Sequence, residues 1–325
     1  MRAVQVLTPT GPDDVRVVEV PDPQPRADEV LVAVHRVGIS FPDLLLSRGE
    51  YQLRPEPPFT LGVDFAGSVV SGPEGYRVGE RVAGVLPYGG AAELVVAPPM
   101  SVFSLPDDVS YDEGAALPMN YLTAQFALVE RGGLREGETV VVHGGAGGVG
   151  TATIQVAKGL GARVVAVTST EEKAAFARQA GADEAVLLDG FKDAVLELTG
   201  GEGADVVLDV VGGEVFTDSL RALAPLGRLL VVGFASGQGI PEVKVNRLLL
   251  NNTDVRGVGW GAYAMARPGY MHEQWDALAP LLAAGALRPP IGASYALDDF
   301  GRALADMDAR RTLGKSVVRV REDDA

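Results

Sequence analysis

Thr139–Gly161, TVVVHGGAGGVGTATIQVAKGLG, leaves this chain few folds to choose from. Thr139 to Val142 is a β-branched, apolar run behind the turn residues Arg135-Glu136-Gly137-Glu138, and it reads as a buried strand. Gly144, Gly145, Ala146, Gly147, Gly148, Val149 and Gly150 follow. Ala152, Ile154, Ala157 and Leu160 then recur at helical spacing until Gly161 stops the run. The order is strand, glycine turn, helix. Gly145, Gly147 and Gly150 fit G-x-G-x-x-G, in which Gly145 allows the tight turn. Gly147 lets a pyrophosphate approach the backbone, and Gly150 lets the helix pack close to the strand. The free N–H groups and the positive end of the helix then face the phosphates. Such a turn also occurs as plain punctuation, but here both flanks match the dinucleotide pattern.

The regular alternation continues beyond this unit. Strands are expected at Arg163–Thr168, Ala185–Leu188, Val206–Val210, Arg228–Val232 and Asp254–Val258. Helices are expected at Glu171–Ala180, Phe191–Leu198, Glu214–Leu223 and, less regularly, Pro241–Leu250. Six strands separated by helices predict an α/β fold with a doubly wound, Rossmann-type parallel sheet. Residues 1–120 read differently. Short runs at Ala3–Leu7, Val15–Glu19, Glu29–Val37, Gly67–Val70, Arg81–Val85 and Ala92–Val96 are broken by Pro and Gly clusters. They predict a partly open barrel or coiled antiparallel sheet. Leu122–Glu130 reads as a helix. Helices at Glu273–Ala284 and Phe300–Ala309 precede a last strand, Ser316–Val320. Two helices and an irregular segment separate that strand from the parallel sheet, so rejoining the N-terminal β domain is its alternative. The tail Arg321–Ala325 reads as loose. Three stretches result: 1–120, 121–260 and 261–325.

Composition narrows the classes. A chain of 325 residues favours two domains. The net charge of −15 argues against a general nucleic-acid or anionic-membrane surface. No cysteine is present, which removes disulfides and Cys-ligated zinc. The N-terminus alternates like a strand rather than a signal peptide, and no uncharged apolar run reaches membrane-span length. A soluble cytoplasmic protein is the expectation.

Several segments in fixed order carry a resemblance: Val37–Arg48 (VGISFPDLLLSR), Gly49-Glu50-Tyr51, Pro58–Gly67 (PFTLGVDFAG), Leu122-Thr123-Ala124, the glycine loop, Val232–Ser236 (VGFAS) and Gly314-Lys315. Together they resemble the medium-chain dehydrogenase/reductase superfamily. Within it they resemble the zinc-independent, zeta-crystallin-like NADPH:quinone oxidoreductases. The resemblance implies a GroES-like β-rich catalytic domain, a Rossmann domain and a C-terminal return to the first. Zinc-dependent alcohol dehydrogenases of the superfamily place a Cys shortly before an Asp, and a His-Glu pair, where this chain has Ser40-Phe41 and Val63-Asp64. Ser, Val and a lone Asp cannot build a three-ligand zinc site, so no metal is expected. His35, His143 and His272 are scattered; His143 either touches cofactor or is a hydrogen-bonded, partly buried residue.

NADPH is the expected cofactor. An NAD-specific site ends its second strand in an acidic residue, and here Thr168 stands in that place, followed by Ser169 and Thr170. No carboxylate there repels a 2′-phosphate, and Ser169 and Lys173 match family positions that hold it. Lys173 also reads as a solvated helix residue, and Leu188 stands where the family often carries a Tyr. By position, Thr123, Gly233, Phe234, Ala235, Val258, Trp260 and Lys315 are further cofactor contacts; Phe234 and Trp260 read equally as interface packing.

Hydride transfer without a metal needs donor and acceptor held face to face, and charge on oxygen stabilised or protonated. Asp43, Arg48 and Tyr51 cluster in the loop that replaces the zinc region. By resemblance to enoyl reductases, Tyr51 is a candidate proton donor; its alternative is packing on Pro55–Pro58. Asp43 orients the loop, touches the nicotinamide ribose or caps a helix before Leu44–Leu46. Arg48 binds a substrate oxygen or pairs with Glu50 or Glu56. The resulting expectation is a zinc-free reductase of quinones or α,β-unsaturated carbonyl compounds, with substrate entering between the domains. Homodimers that extend the Rossmann sheet near Val243–Val258 are implied by the resemblance. The rivals are an enoyl-thioester reductase using Tyr51 and a non-enzymatic NADPH-binding protein.

Overall fold

The computed structural model describes residues 1–322. Of the tail Arg321–Ala325, residues 323–325 lie outside the described residues. The chain divides into two compact units. Met1–Met119, Gly269–Trp275 and the stretch from Pro289 onward form one; Asn120–Pro268 and Asp276–Arg288 form the other.

The strands, in chain order, are β1 (Arg2–Val6), β2 (Val15–Glu19), β3 (Val30–Gly38), β4 (Phe59–Thr60), β5 (Asp64–Ser71), β6 (Arg81–Val85), β7 (Leu94–Ala97) and β8 (Val102–Ser104). Then come β9 (Thr139–His143), β10 (Arg163–Thr168), β11 (Glu184–Leu187), β12 (Ala204–Asp209), β13 (Leu223–Val231), β14 (Asp254–Gly257), β15 (Ile291–Ala296) and β16 (Lys315–Arg319). The helices are α1 (Phe41–Ser47), α2 (Tyr111–Gly114), α3 (Pro118–Gln125), α4 (Gly148–Gly159), α5 (Glu171–Gln179), α6 (Phe191–Leu198), α7 (Val215–Arg221), α8 (Asn246–Asn251), α9 (Trp260–Met265), α10 (Tyr270–Ala283) and α11 (Phe300–Asp308).

In the first unit β3 and β5 form the centre of a mixed sheet ordered β15-β16-β3-β5-β6-β8, with β7 also on β3. Nearly all of β3, VLVAVHRVG, is buried: neighbours pair on both edges, Val30, Val32, Val34 and Val37 join the apolar core, and α2 engages His35 and Arg36 through Tyr111 and Asp112. Ser316–Val320 does leave the parallel sheet: β16 runs antiparallel to β3, with Val317 opposite Gly38 and Val318 opposite Val37. Its parallel partner β15, IGASYA, is not among the expected strands. Small residues and an alternately exposed edge hide that strand from a hydrophobicity reading. Leu44, Leu46, Phe59, Leu61, Phe65 and Phe300 belong to this unit's core.

In the second unit all six strands are parallel in the order β11-β10-β9-β12-β13-β14, and the strand order reverses between β9 and β12. Val141, Val165, Val207 and Leu229 share one core with Phe191, Phe216 and Leu220 from the helices. Two expected helices differ. Leu122–Glu130 is α3 running from Pro118 into a wide π-type turn over Phe126–Arg131. Pro241–Leu250 shrinks to Asn246–Asn251. Val243 packs on the core from an irregular stretch, and β-branched Val243 and Val245 weaken an earlier helix start.

Candidate active site

The glycine turn lies at the carboxyl end of β9, the place where open α/β sheets bind ligands. Geometry redistributes the roles of its glycines. The left-handed residue is Gly144, with φ of 64°, so the tight turn falls there and not on Gly145. Gly145 is required by packing, since a Cβ would stand 2.8 Å from the Ala166 Cβ on β10. At Gly150 a Cβ would stand 2.1 Å from the Gly144 carbonyl oxygen, so only glycine lets α4 lie this close against the turn. A Cβ on Gly147 would meet only that same oxygen, at 3.4 Å. This is the open face a pyrophosphate needs. Gly147 caps α4 without any side-chain hydrogen bond, so the first-turn N–H groups of Gly148, Val149 and Gly150 are left for an anion. Ala146 is buried within the same turn.

At the end of β10, Thr168 is buried and donates its hydroxyl to the Thr170 carbonyl at 3.2 Å. Ser169 is exposed. Thr170 caps α5, its hydroxyl accepting the Lys173 N–H at 3.2 Å. Ser169 and the half-buried Lys173 therefore flank the strand end, with no carboxylate on β10 itself. Gly233, Phe234 and Ala235 follow β13, and Phe234 is exposed. Val258 and Trp260 follow β14 and are buried; the Val258 N–H donates to the Val231 carbonyl at 2.9 Å. Thr123 is buried on α3. His143, at the end of β9, is fully buried and hydrogen-bonded to Ser219 at 2.8 Å.

The first unit gathers Ser40, Asp43, Asp64 and Lys315. Lys315 Nζ donates to Asp64 Oδ2 at 2.6 Å and to Ser40 Oγ at 2.7 Å. Ser40 Oγ donates to Asp64 Oδ2 at 2.9 Å, and Asp64 Oδ1 accepts the Met119 N–H at 2.8 Å. Asp64 is fully buried, and Ser40 and Lys315 are each 4% exposed. Gly38 makes room for the lysine, since a Cβ there would stand 2.7 Å from Lys315 Cε and 1.9 Å from the Ala115 carbonyl oxygen. Asp43 lies in the first turn of α1, behind the N-cap Ser40, rather than at the cap itself. Its Oδ2 accepts the Ser40 N–H at 3.0 Å and its Oδ1 the Gly62 N–H at 2.9 Å. Burial pushes the Asp43 carboxyl up to about 7, against the pull of those two N–H groups and of the Lys315 charge.

Tyr51 is half-buried against the first unit's core; burial, and after it the nearby Asp43 charge, raise its phenol. Arg48 ends α1 and pairs with Asp308 on α11, at 2.5 Å, rather than with Glu50 or Glu56. The first unit thus places Asp43 within reach of the Lys315 charge and sends Arg48 to another helix. Sequence reasoning takes Asp64 only as the residue standing where a metal ligand is missing. The signal for its role is nonetheless there: a lone acid in Val63-Asp64-Phe65-Ala66 and a lone lysine heading Ser316-Val317-Val318 are charges in apolar strands, and such charges need partners.

Comparison with known proteins gives the same architecture. Residues 26–107 match the alcohol dehydrogenase GroES-like domain and residues 148–284 the zinc-binding dehydrogenase family. Quinone oxidoreductase-like protein 2 of Bos taurus is 38% identical, over 94% of this chain and 89% of that protein. The quinone oxidoreductase of Pseudomonas aeruginosa is 34% identical, over 98% of this chain and 99% of its own. A mycobacterial structure solved in complex with NADPH is 33% identical with a TM-score of 0.90, and the match covers 98% of this chain and 100% of that one. With the dinucleotide-type turn, the strand order and these relatives in hand, the chain belongs to the quinone oxidoreductase family of medium-chain dehydrogenase/reductases, oxidoreductases that bind NAD(P).

Proposed function

We propose that this protein is a cytoplasmic, NADPH-dependent reductase that works without zinc and transfers hydride to quinones or α,β-unsaturated carbonyl compounds. The observation that carries the reading is the buried triangle of Ser40, Asp64 and Lys315. At the positions where zinc-dependent relatives place ligands stand a hydroxyl, the apolar Val63 and a carboxylate bound by an ammonium at 2.6 Å. That donor set offers no three-ligand zinc site.

Bound NADPH would supply the hydride. In this reading the backbone of Gly145, Ala146, Gly147, Gly148, Val149 and Gly150 takes the pyrophosphate, and Ser169 with Lys173 takes the 2′-phosphate. The buried Thr168 shapes that corner from below. Thr123, Gly233, Phe234, Ala235, Val258 and Trp260 line the remaining length. Lys315, which donates to Ser40 and Asp64, matches the family lysine that stands near the cofactor. Quinones are electrophilic enough for positioning to suffice. Enones and enoyl thioesters gain from a proton donor, a role that falls to the Tyr51 hydroxyl. An enoyl-thioester reductase is the second reading, supported by the half-buried Tyr51 near Asp43. A homodimer is also proposed: among the described residues β14 is an unpaired sheet edge, and Leu249 and Leu250, just before it in the chain, are each 74% exposed.

Steady-state oxidation of NADPH and NADH over a panel of quinones, enones and an enoyl thioester tests the reading. NADPH should be preferred by about tenfold or more in kcat/KM, the worth of charge-assisted contacts to one phosphate. An NADH preference overturns the role of Ser169 and Lys173. Tight NADPH binding with no turnover on any acceptor would leave a binding protein instead. Tyr51→Phe should cut enone reduction and spare quinone reduction; equal activity on both ends the proton-donor role.

A further inference from the structure

His143 and Asp209 end β9 and β12, the two strands between which the order of the parallel sheet reverses. The register pairs Val207 with Val141 and Leu208 with Val142, so the next residues along stand side by side with their side chains on one face. That face is covered by α6 and α7. Phe191 meets the His143 ring edge-on at 4.7 Å, and Val141, Val207, Phe216 and Leu220 share its apolar cluster. Both polar side chains are 0% exposed. The charged residues of α6 and α7 engage one another instead: Lys192 pairs with Asp193 at 2.9 Å and Arg221 with Asp218 at 2.7 Å, while Glu197 is exposed.

The two ring nitrogens of His143 are in distinct states. Ser219 Oγ donates its only proton to the Val215 carbonyl at 2.8 Å, so toward His143 Nε2, also at 2.8 Å, it can only accept. The imidazole proton therefore sits on Nε2 and leaves Nδ1 a bare acceptor, buried and without a partner among the described residues. Asp209 Oδ1 accepts the N–H groups of Val211 at 2.7 Å and Gly212 at 2.9 Å, while its Oδ2 is buried and has no partner among the described residues. Two unmet polar atoms on adjacent strands, one an acceptor, become complementary once the other carries a proton.

We propose that Asp209 is a carboxylic acid in the folded protein and that its Oδ2–H is donated to His143 Nδ1, forming a neutral buried lock across β9 and β12. The terminal torsions of Asp and His are broad, so adjustments about them can bring Oδ2 to Nδ1. Burial raises the Asp209 carboxyl and lowers the His143 imidazole to about 4, and both directions favour this neutral pair. The lock lies under the candidate cofactor crevice. The residues after Asp209 hold the Phe234 loop, with Ala235 N–H donating to the Val210 carbonyl at 3.0 Å and Ser236 N–H to that of Val211 at 2.9 Å. A Cβ on Gly144 would stand 2.9 Å from Val210 Cγ2, so the same turn abuts the glycine loop. His143 and Asp209 are thus positioning residues for the crevice. That consequence rests on the NADPH reading above, whereas the lock itself does not.

The test is the infrared difference spectrum of cofactor-free wild type minus Asp209→Asn at pH 7. A carboxylic-acid C=O band is expected in the wild type at this position; carboxylate bands there overturn the proposal. Asn offers an oxygen in place of Oδ1 and N–H in place of Oδ2–H, so Asp209→Asn should keep the wild-type Tm and NADPH Kd. Asp209→Ala, which removes the lock together with the acceptor of the Val211 and Gly212 N–H groups, should weaken NADPH by about tenfold or more. An Asn variant as impaired as the Ala variant overturns the proposal as well. Wild type that fails to bind NADPH would sink the cofactor reading, while the infrared band still decides the lock.

Discussion

A carboxyl with no exposure is the most informative residue in the first unit. Asp43 is raised from its ordinary 3.8 to about 7, first by burial. Between those values the folded protein holds a proton that the unfolded chain has released. This carboxyl therefore favours folding at acid pH, and the advantage is lost as pH rises toward 7. Urea unfolding at pH 5 and pH 7.5 should show the wild type losing stability over that interval, with a flatter dependence in Asp43→Asn. Identical slopes would mean that Asp43 does not titrate there. The Lys315–Asp64 pair gives a second expectation. Removing one partner of a buried pair leaves an uncompensated charge, so Lys315→Met should cost about 3–5 kcal/mol in urea unfolding. Lys315→Met combined with Asp64→Leu should recover much of it, because an apolar pair needs no compensation. Both residues are legible in the sequence as lone charges in apolar runs, yet their pairing is not.

At the scale of elements, the strand–turn–helix unit is legible because its signals are contiguous: β-branched run, glycines, helical spacing. Its internal division of labour is not, since which glycine takes the positive φ depends on what packs against the turn. The space around each glycine separates folding from binding. Gly147→Ala, whose Cβ has room at 3.4 Å and whose φ is −92°, should leave Tm unchanged while weakening NADPH by about tenfold or more. Gly150→Ala, whose Cβ would sit 2.1 Å from a carbonyl oxygen, should lower Tm as well. Differential scanning calorimetry with fluorescence titration of NADPH distinguishes the two. A Gly147→Ala protein with wild-type affinity would remove the pyrophosphate from that face. The edge strand β15 is hidden in the sequence for a complementary reason: its identity lies in its pairing with β16, not in its composition.

For the whole molecule, family membership and the two-unit α/β architecture agree with the order of motifs along the chain. If β14 is the dimer edge, Leu249→Glu with Leu250→Glu should shift the protein from dimer to monomer in analytical ultracentrifugation, because a desolvated carboxylate costs several kcal/mol at an interface. A wild-type monomer would remove the proposal. The sequence by itself determined the fold class, the parallel sheet, the dinucleotide-type turn and the family, because each is written in periodicity and short motifs that neighbouring residues carry together. Only the tertiary structure decided that Ser40 and Asp64 meet a lysine 275 and 251 residues away, that Arg48 turns to Asp308, and that His143 and Asp209 share a buried face. These contacts depend on strand order and register, which bring together residues whose local sequence carries no record of one another.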